Sequence, residues 1–299
     1  MKRVWVADLV LLLLNVMWGY CFILIKQLLS EIPPYFLLGT RFLLAFFLLF
    51  PFQISAIPKM GKKELAWYFR CGIALGSGFC LATAGMTSTN PGKAGVIIGS
   101  LVVFVPIIDF FWMKNPISIS IRVGTLTTFL GLCFISLDGV GHITEMNLGD
   151  ILLLLGAIAY AFHVVIVAKT YSEIKTVNPM LLALVQIFTV GFFGLVISIL
   201  FEKIPTVLSV FAIYGICFLG ILGSLIAYIV QMWAQKYAPA PHVGVILSTE
   251  AVFACIFSYF ILGEAFTFFM WIGGILVLAG IMLTQEILPF GRRHVTKTR

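Results

Sequence analysis

"GVILSTEAVF", Gly244 to Phe253, lies in a run that stays apolar from Val243 to Leu262, apart from small hydroxyl residues and one glutamate, Glu250. An earlier stretch, "GVIIGSLVVF" (Gly95 to Phe104), reads almost the same and has Leu101 where the glutamate falls. The near-duplicate predicts a chain built twice over. The glutamate predicts that the two copies are not equivalent at that point.

Composition sets the class. The 299 residues are 61% hydrophobic and 10% charged, with mean hydropathy +1.11. A soluble domain of this length carries about a quarter charged residues. So little polar surface cannot cover a soluble protein, and an all-α integral membrane protein is predicted. About 20 apolar residues cross the ~30 Å hydrocarbon core as a helix. Ten stretches qualify: Val6–Leu29, Pro34–Phe52, Leu65–Met86, Gly92–Met113, Arg122–Leu137, Leu148–Ala168, Pro179–Phe201, Val210–Met232, Pro241–Leu262 and Phe266–Leu288. The fifth is the shortest. The first follows Met1-Lys2-Arg3 like a signal peptide, but no small-x-small cleavage site follows, so it reads as a retained span. Six cysteines are scattered through the apolar runs without CxxC or metal-type spacing, and read as small apolar fillers.

Lysine and arginine orient the spans. With the N-terminus in the cytoplasm, all of the 19 except Lys26, Arg41, Lys93 and Lys203 fall on the cytoplasmic side, a strong positive-inside bias. Both termini are therefore expected in the cytoplasm, and the outer loops carry Glu31, Asp138, Glu145, Asp150, Glu202 and Glu264. The net charge of +7 reflects this orientation and gives no reason to expect a nucleic-acid partner. The predicted partners are the lipid bilayer and a small molecule.

A shift of 149 residues lays spans four and five on spans nine and ten without a gap. Gly95, Val96, Ile97, Val103 and Phe104 fall on Gly244, Val245, Ile246, Val252 and Phe253. Gly124 and Gly131 fall on Gly273 and Gly280. Gly95/Gly99 and Gly244/Ser248 are small-xxx-small pairs that let helix backbones approach closely. With slightly different shifts, Asp8 falls on Asp150, Trp18 on Tyr160, Cys21 on His163 and Arg41 on Gln186. The organisation read from this is a first five-helix repeat over 1–145, a second over 146–290 and a basic cytoplasmic tail over 291–299. Five is odd, so the second copy enters the membrane inverted. Such 5+5 inverted repeats characterise secondary transporters, with substrate held near the midplane between the halves.

Polar residues within the spans are the candidate site, because a charge at mid-span costs roughly 2.5–3.5 kcal/mol and tends to face protein or water. Glu250 lies nine residues past Pro241, about 13–14 Å up the helix. It is a candidate proton site or cation contact, against a purely structural carboxyl group beside Ser248 and Thr249. Arg41, about 10 Å into span two, could pair with Glu250 or bind a substrate carboxylate, against snorkelling to the outer interface. Asp109 is expected to pair with Lys114 or to form a cytoplasmic gate contact. Trp18 and Tyr160 occupy matched depths and could wall a cavity, including a cation–π site for an ammonium group. Tyr228 and Gln231, three apart, share a helical face. His163 is a candidate that titrates near neutral pH, against a hydrogen-bonded structural histidine, and Tyr20, Phe22, Ser100 and Gln186 are weaker candidates.

The stretches "NVMWGYCFILIK", "TRFLLAF", "NPGKAGVIIGSLVVFVPI", "GDILLLLGAIAYAFHVVIVAK", "GSLIAYIVQMWAQKYAPAPHVGVILSTEAVFACIFSYFILGE" and "WIGGILVLAGIML" together resemble the EamA-type branch of the drug/metabolite transporter superfamily. The resemblance covers essentially the whole chain. It implies ten helices with both termini inside, a central cavity between inverted halves, and export of amino acids, other small metabolites or cationic drugs. One departure is visible: "LGE" (Leu262–Glu264) in the second half stands against "MKN" (Met113–Asn115) in the first. HExxH, GxSxG and P-loop motifs are absent, so neither an enzyme nor ATP-driven transport is indicated. The expected function is secondary active transport without cofactor or metal, in the cell membrane, with the proton a candidate coupling ion. A facilitated-diffusion pore is the alternative, and a non-transporting scaffold a further one.

Overall fold

A computed structural model of the chain describes residues 2–139, 147–263 and 267–284. Glu145, Glu264 and the basic tail over 291–299 lie outside the described residues. Every described element is helical: α1 (Lys2–Leu28), α2 (Pro34–Gln53), a 3₁₀ turn (Ile57–Lys59), α3 (Lys62–Met86), α4 (Pro91–Gly99), α5 (Leu101–Met113), α6 (Ile119–Gly139), α7 (Leu148–Glu173), α8 (Pro179–Phe201), α9 (Val210–Phe218), a π-helical stretch (Leu219–Ile226), α10 (Ala227–Gln235), α11 (Ala240–Leu247), α12 (Glu250–Phe257), a second π stretch (Ser258–Leu262) and α13 (Phe268–Thr284). Among the described residues, eight segments are long and apolar enough to cross a membrane, α4–α5, α9–α10 and α11–α12 each counting as one, and two shorter apolar helices accompany them.

The helices start where local chemistry supplies the unpaired first-turn amides with acceptors. Asn90 accepts from the Lys93 amide at 2.9 Å, and Asn147 and Asp150 form a reciprocal capping box. Asn178 and Ser209 cap α8 and α9. Proline opens α2, α4 and α8 at the position where its missing N–H costs nothing. The fifth span is longer than hydropathy indicates: α6 runs 21 residues. Ser118 Oγ accepts from the Ile121 amide at 3.2 Å, so the helix begins in a polar turn before its apolar part.

Helices that correspond in the two copies pack directly on each other. α6 and α13 meet glycine to glycine: a Cβ on Gly131 would stand 2.6 Å from the Gly273 carbonyl oxygen, and one on Gly273 2.5 Å from that of Gly131. Gly124 and Gly280 repeat the arrangement at 2.7 Å each. α2 and α8 approach through Gly39 and Gly194, with a Cβ on Gly194 only 2.9 Å from the Gly39 nitrogen. In lipid, where apolar burial gives helices no preference for one another, such close backbone approach is what dispersion can reward.

Two spans read as continuous from hydropathy are interrupted at matching places. Span four breaks at Ser100 and span nine at Ser248 and Thr249. At both breaks the hydroxyls turn back on the preceding turn. Ser100 Oγ donates to Ile97 O (2.6 Å), Ser248 Oγ to Val245 O (2.6 Å) and Thr249 Oγ1 to Ile246 O (2.7 Å). Hydroxyls that bond back in this way compete with the backbone ladder and bend helices. Glu250 is thus the first residue of a new helix, and Leu101 its counterpart in the other copy.

Candidate functional site

One cavity, of about 810 Å³ including its open mouth, lies between α1, α2, α3, α4, α5, α7, α10, α11 and α12. Eight of the residues singled out from the sequence line it: Trp18, Phe22, Arg41, Tyr160, His163, Tyr228, Gln231 and Glu250. Phe79, Cys21, Thr83 and the π-helical Gly223 also line it.

Aromatic rings form a continuous wall. Phe79 stands edge-on to Tyr160 (5.3 Å between centroids) and to Tyr228 (6.1 Å), and Trp18 lies 5.9 Å from Tyr228. Two backbone features fix these rings. Gly78 makes room for Tyr160, whose ring a Cβ there would meet at 2.7 Å. Trp18 Nε1 donates to the Gly223 carbonyl at 3.1 Å. The π-helical stretch around Gly223 widens the helix and takes carbonyls off the regular ladder, a feature frequent at functional sites.

Two ionisable side chains enter this wall, one from each copy. Arg41 is 4% exposed and does not snorkel. Its guanidinium lies 5.1 Å from the centroids of both Phe42 and Phe79, and its Nε is buried without a hydrogen-bond partner. Glu250 lines the same cavity. The pairing considered from the sequence does not occur: among the described residues no ion pair within 4.0 Å includes Arg41 or Glu250. At the corresponding positions of the other copy stand Gln186 and Leu101, neither of them charged. Gln231 adds a carbonyl oxygen, Oε1, that is buried without a partner. Buried polar atoms ordinarily find one, so unsatisfied groups along a cavity wall are suited to meeting a guest.

The remaining candidates are engaged by other partners or lie apart from the cavity. His163 lines it but is already engaged, its Nε2 lying 2.5 Å from Gln186 Oε1. Gln186 Nε2 donates to Leu182 O at 3.2 Å, so Oε1 is the acceptor and His163 Nε2 carries the proton. Tyr20, two residues from Trp18 and hence turned away from it, packs edge-on to Phe218 and Phe257. Ser100 lines a separate apolar pocket with Val96, Phe129 and Leu132. Asp109 accepts from Asn115 Nδ2 at 3.2 Å on both oxygens, where the sequence suggested Lys114. The Asn115 amide reaches back because Lys114 adopts the left-handed conformation (φ 57°) at the end of α5.

Sequence reasoning did not pick out Phe79, Cys21 or Asn15. The buried Asn15 donates to Ile246 O at 3.1 Å and ties α1 to the end of α11. Nothing in the sequence marks Phe79 among 28 phenylalanines, whereas Asn15, a lone amide in an apolar run, was visible.

The profile of the EamA-like transporter family matches this chain twice, over residues 5–137 and 147–285. Among similar proteins, an uncharacterized transporter of Archaeoglobus fulgidus is 29% identical over 95% of this chain and 87% of its own length. The uncharacterized transporter YoaV of Bacillus subtilis is 24% identical over 94% and 96%. A chloroplastic WAT1-related protein of Arabidopsis thaliana is 24% identical over 90% of this chain and 66% of its own. A solved crystal structure superposes with TM-score 0.74 at 16% identity, covering 94% of this chain and 96% of the other, and shares the fold.

Proposed function

We propose, from the premise that this chain belongs to the EamA-like transporter family and is a multi-pass membrane protein, that it is a secondary active exporter of small zwitterionic metabolites such as amino acids. It works by alternating access between two inverted five-helix halves, with both termini in the cytoplasm, and resides in the plasma membrane. The observation that carries the reading is the cavity lined by two side chains of opposite type, the arginine Arg41 and the glutamate Glu250, that do not pair with each other. A guest bearing both a carboxylate and an ammonium group answers both. Arg41 offers its N–H fork to the carboxylate, the arrangement that suits a planar anion. Glu250 and the faces of Trp18, Tyr160 and Tyr228 receive the ammonium. Gln231 Oε1 accepts one further hydrogen bond.

An organic cation would use Glu250 and the rings and leave Arg41 unanswered, so a zwitterion fits better. The positive-inside distribution supports the assigned orientation. The experiment is flux of labelled amino acids and quaternary amines in proteoliposomes, comparing the natural protein with Glu250→Gln. Saturable flux is expected, which Glu250→Gln lowers for the amino acid without abolishing transport. Unchanged flux in the variant removes Glu250 from the mechanism.

A further inference from the structure

The two copies also correspond at the ends of the bundle. Asp8 and Asp150 each lie three positions into their copy, and the shift of 149 lays Lys93 on His242. The structure pairs these residues within corresponding helix contacts. Lys93 Nζ on α4 lies 2.6 Å from Asp150 Oδ2 on α7, and His242 Nδ1 on α11 lies 3.9 Å from Asp8 Oδ2 on α1. At one end the carboxylate is fully engaged. Asp150 Oδ2 also accepts from the Asn147 amide (3.1 Å), and Oδ1 accepts from Thr89 Oγ1 (3.1 Å). At the other end the same contact is slack. Asp8 is 4% exposed, yet its Oδ1 has no hydrogen-bond partner, and neither does His242 Nδ1.

We infer that Asp8 and His242 form a proton-binding latch, a second site distinct from the cavity, at the end of the bundle assigned to the cytoplasm. Lysine makes the Asp150 contact permanent, because its ammonium is charged throughout the physiological range. Histidine makes the Asp8 contact conditional, because imidazole gains and loses its charge between pH 5 and 8. One proton taken from water at that end converts a carboxylate facing a neutral ring into an Asp8–imidazolium pair. Closing that pair from 3.9 Å to the usual charge-assisted distance of about 2.8 Å draws α1 and α11 together by about 1 Å. Loss of the proton releases them. A switch of this kind ties opening at one end to proton occupancy, as coupling to a proton gradient requires.

The surroundings leave the pair to itself. Of the helices packed on α11, α1 also brings Arg3, which lies over the Tyr237 ring at 5.7 Å. α5 brings Asp109, held by Asn115. α6 brings Arg122, which donates to Ile117 O. α7 brings Lys169, over the Trp112 ring at 4.9 Å, and Glu173, paired with Lys63. Lys26 and Asp150 belong to the far end, Glu250 lines the cavity, and α13 carries no charged residue. Among the described residues, Asp8 is the carboxylate within 4.0 Å of His242.

The inference rests on the transport reading only for what the latch is used for, and its test needs no substrate. Spin labels on cysteines placed at the exposed Val6 on α1 and at the exposed Pro239, which caps the start of α11, in a background lacking the six natural cysteines, report the α1–α11 separation by double electron–electron resonance. The mean distance is expected to shorten by about 1–2 Å, the scale of helix shifts at switching interfaces, between pH 8 and pH 5. Asp8→Asn and His242→Gln are expected to hold the long distance at both pH values, and His242→Lys the short one. Both histidine variants keep a polar side chain, so one of them failing to fold still leaves the other to decide. A natural protein whose distance ignores pH, or a folded histidine variant that keeps the pH dependence, overturns the latch. If instead the latch behaves as described but no substrate flux is found, it is the transport reading that fails.

Discussion

Replacing Gly131 with alanine puts the packing of the two copies to a quantitative test. The new Cβ would stand 2.6 Å from the Gly273 carbonyl oxygen and 2.9 Å from the Val277 nitrogen. Ordinary C···O contacts lie at about 3.3–3.6 Å, so α6 and α13 must separate by roughly 0.7 Å or more. Both obstructing atoms are backbone and cannot rotate away. A gap of 0.5–1 Å forfeits about a quarter to a half of each dispersion contact along the seam. Overpacking of this kind costs about 1–3 kcal/mol, or a fall in Tm of roughly 2–12 °C for a chain of this size. The assay is thermal unfolding of the purified protein in detergent, followed by tryptophan fluorescence. Gly61→Ala is the control, since a Cβ there meets nothing within 4 Å and its effect should stay within about 0.5 kcal/mol. Gly273→Ala should match Gly131→Ala. The double variant should cost less than the sum, because one separation relieves both clashes. A Gly131→Ala protein that melts with the Gly61→Ala control would refute the glycine-to-glycine contact.

Three further outcomes follow from individual contacts. Trp18→Phe keeps a ring in the cavity wall but loses the hydrogen bond to Gly223 O, worth about 0.5–1.5 kcal/mol, so thermal unfolding should show a Tm lower by roughly 1–6 °C. Gln231→Leu removes a buried carbonyl oxygen that has no partner, so thermal unfolding should show stability unchanged or raised while flux falls. Lys93→Met strands the buried Asp150 carboxylate, 1% exposed, and the lower part of the roughly 3–5 kcal/mol range for broken buried pairs should appear as a lower Tm, relieved by adding Asp150→Asn.

The helical segments were legible because about 20 apolar residues in a row leave the backbone no alternative in lipid. The glycines of α6 and α13 were legible as spacing, and the structure shows what the spacing is for: Gly124, Gly131, Gly273 and Gly280 each face a partner glycine's carbonyl. The breaks at Ser100 and at Ser248–Thr249 were not legible, since a hydroxyl in an apolar run gives the same letter whether it bonds back one turn or packs in a regular helix. The π stretch escaped for a similar reason, because hydrophobic pattern does not distinguish it from an α-turn. Among the site candidates, Trp18, Arg41, Tyr160, Tyr228, Gln231 and Glu250 share one cavity, because residues costly to place in lipid turn toward the space between the helices. Tyr20 and Ser100 do not share it: helical phase turns Tyr20 away, and the Ser100 hydroxyl is spent on Ile97 O.

In the proposed mechanism Arg41 and Glu250 read the two charges of one guest. Counterflow in proteoliposomes measures it directly, with a labelled amino acid exchanging against the same amino acid, its carboxyl amide or its decarboxylated amine on the opposite side. The natural protein is predicted to exchange the zwitterion best, Arg41→Leu to lose the preference for the amino acid over its amide, and Glu250→Gln to lose the requirement for the ammonium. An Arg41→Leu protein that still prefers the zwitterion by the natural margin, or a natural protein without saturable counterflow, would contradict it.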